Sequence, residues 1–287
     1  TAAADRPLGK ENGPCPEPKR VAYRSFDRQW IIPDSRVVDF ARTDLWAAEP
    51  IEGQLYLTEQ HSQPISSGPA VVFSTLIPDM HHFNVRGGRV LPLLHPDGSP
   101  NLPRDLLDHL GSALKEPVTV WDLAAYIAGV TAHPAFTKRF ADELTTPGTR
   151  VPLTTDTEIW REAAALGREL VWAATYGEAF ADPDAGRPKG DISFAVTDPR
   201  RPKNLTPIGD GLPEKIAYLE GENGEGTLHL GQGSFGPATP RMWAYDVGGM
   251  NVIRTWFASR KANPGGRKTS PLDAIHLDTW PEEWITE

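Results

Sequence analysis

Apolar positions change their spacing twice along the 287 residues, dividing the chain into three stretches. Between Val21 and Phe40, Tyr23, Phe26, Trp30, Ile31 and Ile32 are interspersed with arginines and do not sort into an apolar and a polar face. That pattern predicts a bent strand or turn, not one flat ladder. Strands are expected over residues 54–58, 70–76 and 89–94, the second built on the buried-type run Ala70-Val71-Val72-Phe73. From 101 to 180 the period turns helical, over 102–114, 119–130, 135–144 and 155–176. Leu123, Ile127 and Val130 share one face of the second helix, and Ile159, Ala163, Leu166 and Leu170 form an apolar stripe on the last. Thr119/Asp122 and Thr155/Glu158 have the spacing at which a cap hydroxyl and an acid satisfy free N–H groups. After Tyr176 short strands return, over 191–196, 215–219, 226–230 and 242–247, followed by a helix over 249–259 with Val252, Ile253, Trp256 and Phe257 facing inward. The expected class is α+β, a central helical layer with strand-rich N- and C-terminal parts and many Gly/Pro turns. Residues 1–19 read as a linker or N-terminal arm, and 20–287 as one domain with sub-parts 20–100, 101–180 and 181–287.

Composition then narrows the function. Twenty-six Gly and 28 Pro interrupt regular elements too often for an ideal helical bundle. Lys+Arg 29 against Asp+Glu 38 leaves a net charge of −9 and a pI near 5.4. A body coated in basic charge for non-specific nucleic-acid binding is excluded, whereas a local basic cleft is not. The single cysteine, Cys15, excludes an internal disulfide framework and a zinc site of several thiolates. No apolar run approaches the roughly 18–20 residues that cross a bilayer. Thr1-Ala2-Ala3-Ala4-Asp5 contains neither an initiator Met nor an apolar leader, so the chain reads as an excised piece of a longer cytoplasmic protein.

Few motifs carry chemistry. Gly231-Gln232-Gly233-Ser234-Phe235-Gly236 matches a dinucleotide loop literally, but Pro237 and Pro240 follow where a helix is needed to hold a pyrophosphate; a tight strand-to-strand loop is expected instead. Asp79, His81 and His82 supply three metal-ligand types, but adjacent strand residues point to opposite faces. A stand-alone hydrolase or metal-dependent enzyme built on these three stays open as an alternative, as does a protein-docking scaffold. There is no G-x-S-x-G nucleophile elbow. What remains is arginine mixed with aromatics: Arg20, Arg24, Arg28, Arg36 and Arg42 among Tyr23, Phe26, Trp30 and Trp46. Guanidinium groups pair bidentately with guanine edges and stack on bases. They equally bridge to Asp27, Asp34 or Asp39 and tie loops together, and both readings stand.

The run Tyr23-Arg24-Ser25-Phe26-Asp27-Arg28-Gln29-Trp30-Ile31-Ile32 resembles the Y-R-P-F-D-x-R-x-I-Y-Y stretch of Type ISP and related single-chain restriction-modification enzymes, with Ser25 at the usual proline and Arg28 one position early. Further resemblances follow in the family's order: Val120 to Ile127 with His133-Pro134-Ala135-Phe136, Thr149-Arg150-Val151-Pro152-Leu153, Ala165-Leu166-Gly167-Arg168-Glu169-Leu170, Trp243 to Gly249 with Val252 to Trp256, Ser270-Pro271-Leu272-Asp273 and Trp280-Pro281. The resemblance implies a target-recognition domain that binds duplex DNA sequence-specifically and makes no bonds itself. It also implies a methyltransferase domain upstream in the same polypeptide, with S-adenosylmethionine as that domain's cofactor and adenine as its target. By chemistry the DNA contacts are expected from Arg24, Arg28, Arg36, Arg86, Arg89, Arg150, Arg200, Arg201, Lys203 and Arg241, with Asn204 able to pair with adenine. Trp243, Tyr245 and Trp256 read as structural. No cofactor, metal or membrane is expected for this segment.

Overall fold

The computed structural model describes Lys10 and residues 13–14, 16–38, 42–60, 65, 67–83, 88–190, 201–209 and 213–261. Cys15, Arg86, Arg200, the strand expected over 191–196 and the motifs at 270–273 and 280–281 lie outside the described residues. The chain opens with a hairpin, β1 (Lys19–Arg24) and β2 (Asp27–Ile31). Arg20 pairs with Trp30 and Arg24 with Asp27 around the two-residue turn Ser25-Phe26, with a register shift between Ala22 and Arg24. The fold-back and the shift account for the unsorted apolar pattern. A short helix that the pattern did not reveal, α1 (Thr43–Ala48), leads to a three-stranded antiparallel sheet of β3 (Tyr56–Gln60), β4 (Val71–Ser74) and β5 (Gly88–Pro92), in the order β4-β3-β5. β4 is buried on both faces: Val71 and Phe73 join Val120, Ala124 and Val171, while Val72 joins Phe83 and Phe136. Hence its unbroken apolar run.

The helical layer is α2 (Leu106–Leu114), α3 (Val120–Thr131), α4 (Pro134–Arg139) and α5 (Thr157–Ala174). A second antiparallel sheet follows, β6 (Lys203–Thr206), β7 (Ile216–Glu220), β8 (Gly226–Leu230) and β9 (Gly233–Ala238), in the order β6-β9-β8-β7. The chain then forms α6 (Pro240–Ala244), the two-residue strands β10 (Asp246–Val247) and β11 (Met250–Asn251), and α7 (Val252–Ala258). The architecture is α+β, as the pattern implied. The glycine motif at 231–236 supplies the two-residue β8–β9 turn Gly231-Gln232, with Gly231 at φ +60°, a conformation glycine adopts without penalty, and then the first four residues of β9. The strand expected over 242–247 is replaced by α6: Thr239 caps it by accepting from the Met242 N–H, and Pro240 occupies its first turn. Only Asp246 and Val247 remain paired as a strand, after an extended Tyr245.

Capping behaves as the spacing implied at α3, where the Asp122 N–H donates to Thr119 Oγ1 and the Thr119 N–H donates to Asp122 Oδ2. At α5 the cap is Asp156, not Thr155: its Oδ1 accepts from the N–H groups of Glu158 at 2.9 Å and Ile159 at 3.1 Å. The buried row of α5 also differs from the expected stripe. Trp160, Ala164, Gly167 and Val171 are buried, while Ile159, Leu166 and Leu170 are 55%, 54% and 42% exposed. Close approach explains the choice. A Cβ on Gly167 would stand 1.7 Å from the Ala125 carbonyl oxygen, and one on Gly129 would stand 2.0 Å from that of Ala163. The two glycines let α3 and α5 touch backbone to backbone, and Trp160 stacks on Tyr126 with centroids 4.3 Å apart. Gly167→Ala therefore costs about 3 kcal/mol or more, by overpacking against a backbone that cannot yield. Leu166→Ala, on the exposed row, changes the stability of this chain by no more than about 0.5 kcal/mol. Urea denaturation of the two variants distinguishes these outcomes.

Candidate nucleic-acid interface

The arginines nominated from the sequence divide by where their guanidinium groups lie. Arg24 is part-buried: Nη1 donates to the His81 carbonyl at 2.8 Å, and the guanidinium stacks 4.4 Å from the Tyr23 ring. Ser25, at the family's usual proline, donates its N–H to the His82 carbonyl, a bond proline lacks the hydrogen to make. Phe26 adopts φ +60°, a strained conformation for a bulky side chain, and its ring meets Tyr245 edge-on at 6.1 Å. Asp27, 1% exposed, receives Arg260 Nη2 at 2.8 Å and Gln29 Nε2 at 2.9 Å. Arg28 is buried as well, bonded to Glu178 at 2.8 Å and stacked 3.7 Å from the Tyr176 ring. The hairpin turn thus joins the segment after β4, the end of α5 and the end of α7. Arg36 is tied to Asp34, whose carboxyl its side-chain and backbone hydrogen bonds lower to about 2.

Asp79, His81 and His82 do not converge. His81 donates its N–H to Asp79 Oδ1, and its Nδ1 lies 2.8 Å from the same oxygen. His82 turns into the core, with Nδ1 3.1 Å from Thr58 Oγ1. Burial, reinforced by the nearby Arg24 charge, lowers its pKa to about 3; burial raises that of Asp79. Among the described residues no group of three or more His, Cys, Asp or Glu side chains could hold a metal ion.

The remaining cations lie outward, in two places. Beside β5, Arg89 forms an ion pair with the buried Glu59, whose other oxygen accepts from the Thr149 N–H at 2.7 Å; this tethers the loop that presents the exposed Arg150. At the second sheet, β6 is an edge strand exposed at all four residues, Lys203-Asn204-Leu205-Thr206, with Arg201 half-buried just before it. Pro202 and Arg241 share an apolar groove of 430 Å³ with Phe26, Met242, Tyr245 and Trp256. Trp256 is buried with Phe235 and Phe257, as its structural reading requires, but Tyr245 is exposed in the groove. Arg150, Lys203 and Arg241 form no salt bridge among the described residues. Within the arginine–aromatic cluster of the N-terminal stretch, one pair outside the expected DNA contacts is outward: Trp30, 64% exposed, with Arg20 stacked 5.3 Å from its ring. The composition of the stretch shows both residues, but their pairing follows from the hairpin register, which sets Arg20 opposite Trp30.

The Type ISP C-terminal specificity domain family matches residues 2–287. The chain belongs to that family. No curated protein matches it in sequence. Three solved structures resemble this specificity domain in fold. They are the nuclease-deleted Type ISP restriction-modification enzyme LlaGI in complex with a DNA substrate mimic (TM-score 0.62, 17% identity, 94% of this chain and 23% of that one), the DrdV–DNA complex (0.67, 15%, 93% and 26%), and the ATP-dependent Type ISP enzyme LlaBIII bound to DNA (0.67, 11%, 96% and 18%). The chain thus spans about a quarter or less of each. Its own geometry explains two family motifs: the glycine of the 165–170 motif is the close crossing with α3, and the 23–28 motif is the buried turn.

Two variants test how the specificity domain holds its hairpin. Asp27→Ala leaves Arg260 buried without its carboxylate and costs about 3–5 kcal/mol in chemical denaturation, part of which the additional Arg260→Met recovers. His82 is held neutral, so the unfolded chain binds the extra proton as pH falls below 6.5. Stability is complete above that pH and declines toward pH 3, by about 1.4 kcal/mol per unit at the steepest. His82→Gln flattens this decline in denaturation curves recorded between pH 7 and pH 4.5.

Proposed function

We propose that this specificity domain positions a longer restriction-modification polypeptide on a target sequence in duplex DNA. The observation carrying the proposal is the family match over nearly the whole chain, joined to a fold shared with three DNA-bound enzymes. Arg89, Arg150, Arg201, Lys203 and Arg241 make the contacts, with Arg86 and Arg200 adjoining them in sequence; Asn204 on the exposed edge strand reads adenine. Arg24, Arg28 and Arg36 act by shaping the hairpin and its following turn. An acidic body with a few outward cations suits this task, because phosphate contacts set register and base contacts set sequence, without the non-specific grip of an overall positive charge. In this reading S-adenosylmethionine-dependent adenine methylation belongs to a methyltransferase domain upstream in the same polypeptide, which takes the flipped base while this domain holds the flanking duplex. No helix of the described residues is long and apolar enough to cross a membrane, and the reading takes the DNA-containing cytoplasm as the compartment.

The deciding experiment exchanges this domain, within the full-length enzyme, for that of a relative with another target, and sequences the methylated sites. The methylated sequence is expected to follow the domain; an unchanged sequence overturns the proposal. Lys203→Ala with Arg241→Ala lowers the log–log salt slope of DNA binding by about 2 and weakens all sequences alike. Asn204→Ala relaxes preference at one base pair by about 1–3 kcal/mol. Binding isotherms across a salt series and a panel of single-base variants read out both.

A further inference from the structure

The outward face of α5 carries the exposed Ile159, Leu166 and Leu170 at positions i, i+7 and i+11, with the half-buried Ala163 at i+4 leading over to the packed row of Trp160, Ala164, Gly167 and Val171. At Leu170 the row enters a narrow cleft lined by Ala132, Ala174, Phe26 and Tyr245, so helix row and cleft form one apolar surface. Large exposed aliphatic side chains in sequence register mark an interaction surface rather than scattered surface residues. Charge decides what that surface accepts. Glu158, Glu162 and Glu169 are exposed on the same helix and form no salt bridge among the described residues, while Arg161 and Arg168 are engaged by Glu116 and Asp122. The border of the row is therefore acidic, which repels DNA phosphates and attracts lysine and arginine.

We propose that this face of α5 seats another part of the same longer polypeptide, one that offers an apolar surface rimmed by basic side chains. The proposal rests on the reading of the chain as the specificity domain of a larger enzyme. Of the outward cations nominated for DNA, Arg89 on β5, Arg150 on its loop and Lys203 on β6 lie on other elements, while Arg241 on α6 borders a groove that shares Phe26 and Tyr245 with the cleft, so the seat adjoins the nominated DNA surface only there. Seating a rigid neighbour on a rigid helix would hold the reacting domain and the sequence-reading domain at a fixed spacing.

Maleimide labelling of Leu166→Cys in the purified full-length enzyme without DNA, read by peptide mass spectrometry, tests the seat directly. The cysteine is expected to be protected in the native enzyme at every protein concentration and to label fully once the enzyme is denatured. Rapid native labelling overturns the proposal. Protection that disappears on dilution also overturns it, since it assigns the face to a second copy of the enzyme. Adding Glu162→Lys and Glu169→Lys sets like charges against the basic rim and is expected to raise the labelling rate about tenfold; no increase removes the basic partner surface from the proposal. The assay contains no DNA, so its outcome is independent of the domain exchange that tests sequence recognition.

Discussion

The structure turns on the burial of two opposite charges side by side at one hairpin. Asp27 sits at 1% exposure and receives Arg260 from a position 233 residues later. Its chain neighbour Arg28 lies in the interior against Glu178 and the face of Tyr176. Removing such charges from water costs several kcal/mol, so the pairs add little net stability over apolar side chains of the same shape. Their consequence is geometric. An unpartnered ion there would be severely penalised, so β1, β2, the end of α5 and the end of α7 have one arrangement in which all the charges are met.

That arrangement also sorts the cations. An arginine whose guanidinium is occupied by partners within the fold is a structural tie: Arg28 and Arg260 each meet a carboxylate and an aromatic face, Arg24 a backbone carbonyl and the Tyr23 ring, and Arg36 the Asp34 carboxylate. Arg150, Lys203 and Arg241 lie outside such enclosures, on a tethered loop, an edge strand and a short helix. A net charge of −9 is therefore compatible with the proposed DNA-reading role, because a duplex responds to the local field of nearby cations and not to the sum over the body.

Apolar side chains are sorted by the same logic of fit. α5 offers two apolar rows, and the one with the larger aliphatic residues is the one left outside. The inner row wins because Gly167, with Gly129 facing it on α3, lets two helix backbones meet and Trp160 finds a stacked partner in Tyr126. Dense packing across a short distance outweighs a greater hydrophobic payload held farther off.

The sequence by itself determined the α+β class, the three-part order of strands, helices and strands, the Thr119 capping box, the buried run of β4 and the strand-to-strand turn at Gly231. Each follows from local period, spacing or the conformational range of one residue type. The ordered motifs of the family were likewise legible, and they were enough to point to a specificity domain. Only the tertiary structure decided which row of α5 faces inward, that 240–244 is helical, that β6 and β9 pair, and which arginines lie inside. Those outcomes depend on contacts between residues far apart in the chain: Arg28 and Glu178 are 150 positions apart, Asp27 and Arg260 are 233. A charge or a methyl group looks the same in sequence whether its partner is water or a side chain across the fold, and the energy of placing it differs by several kcal/mol between the two.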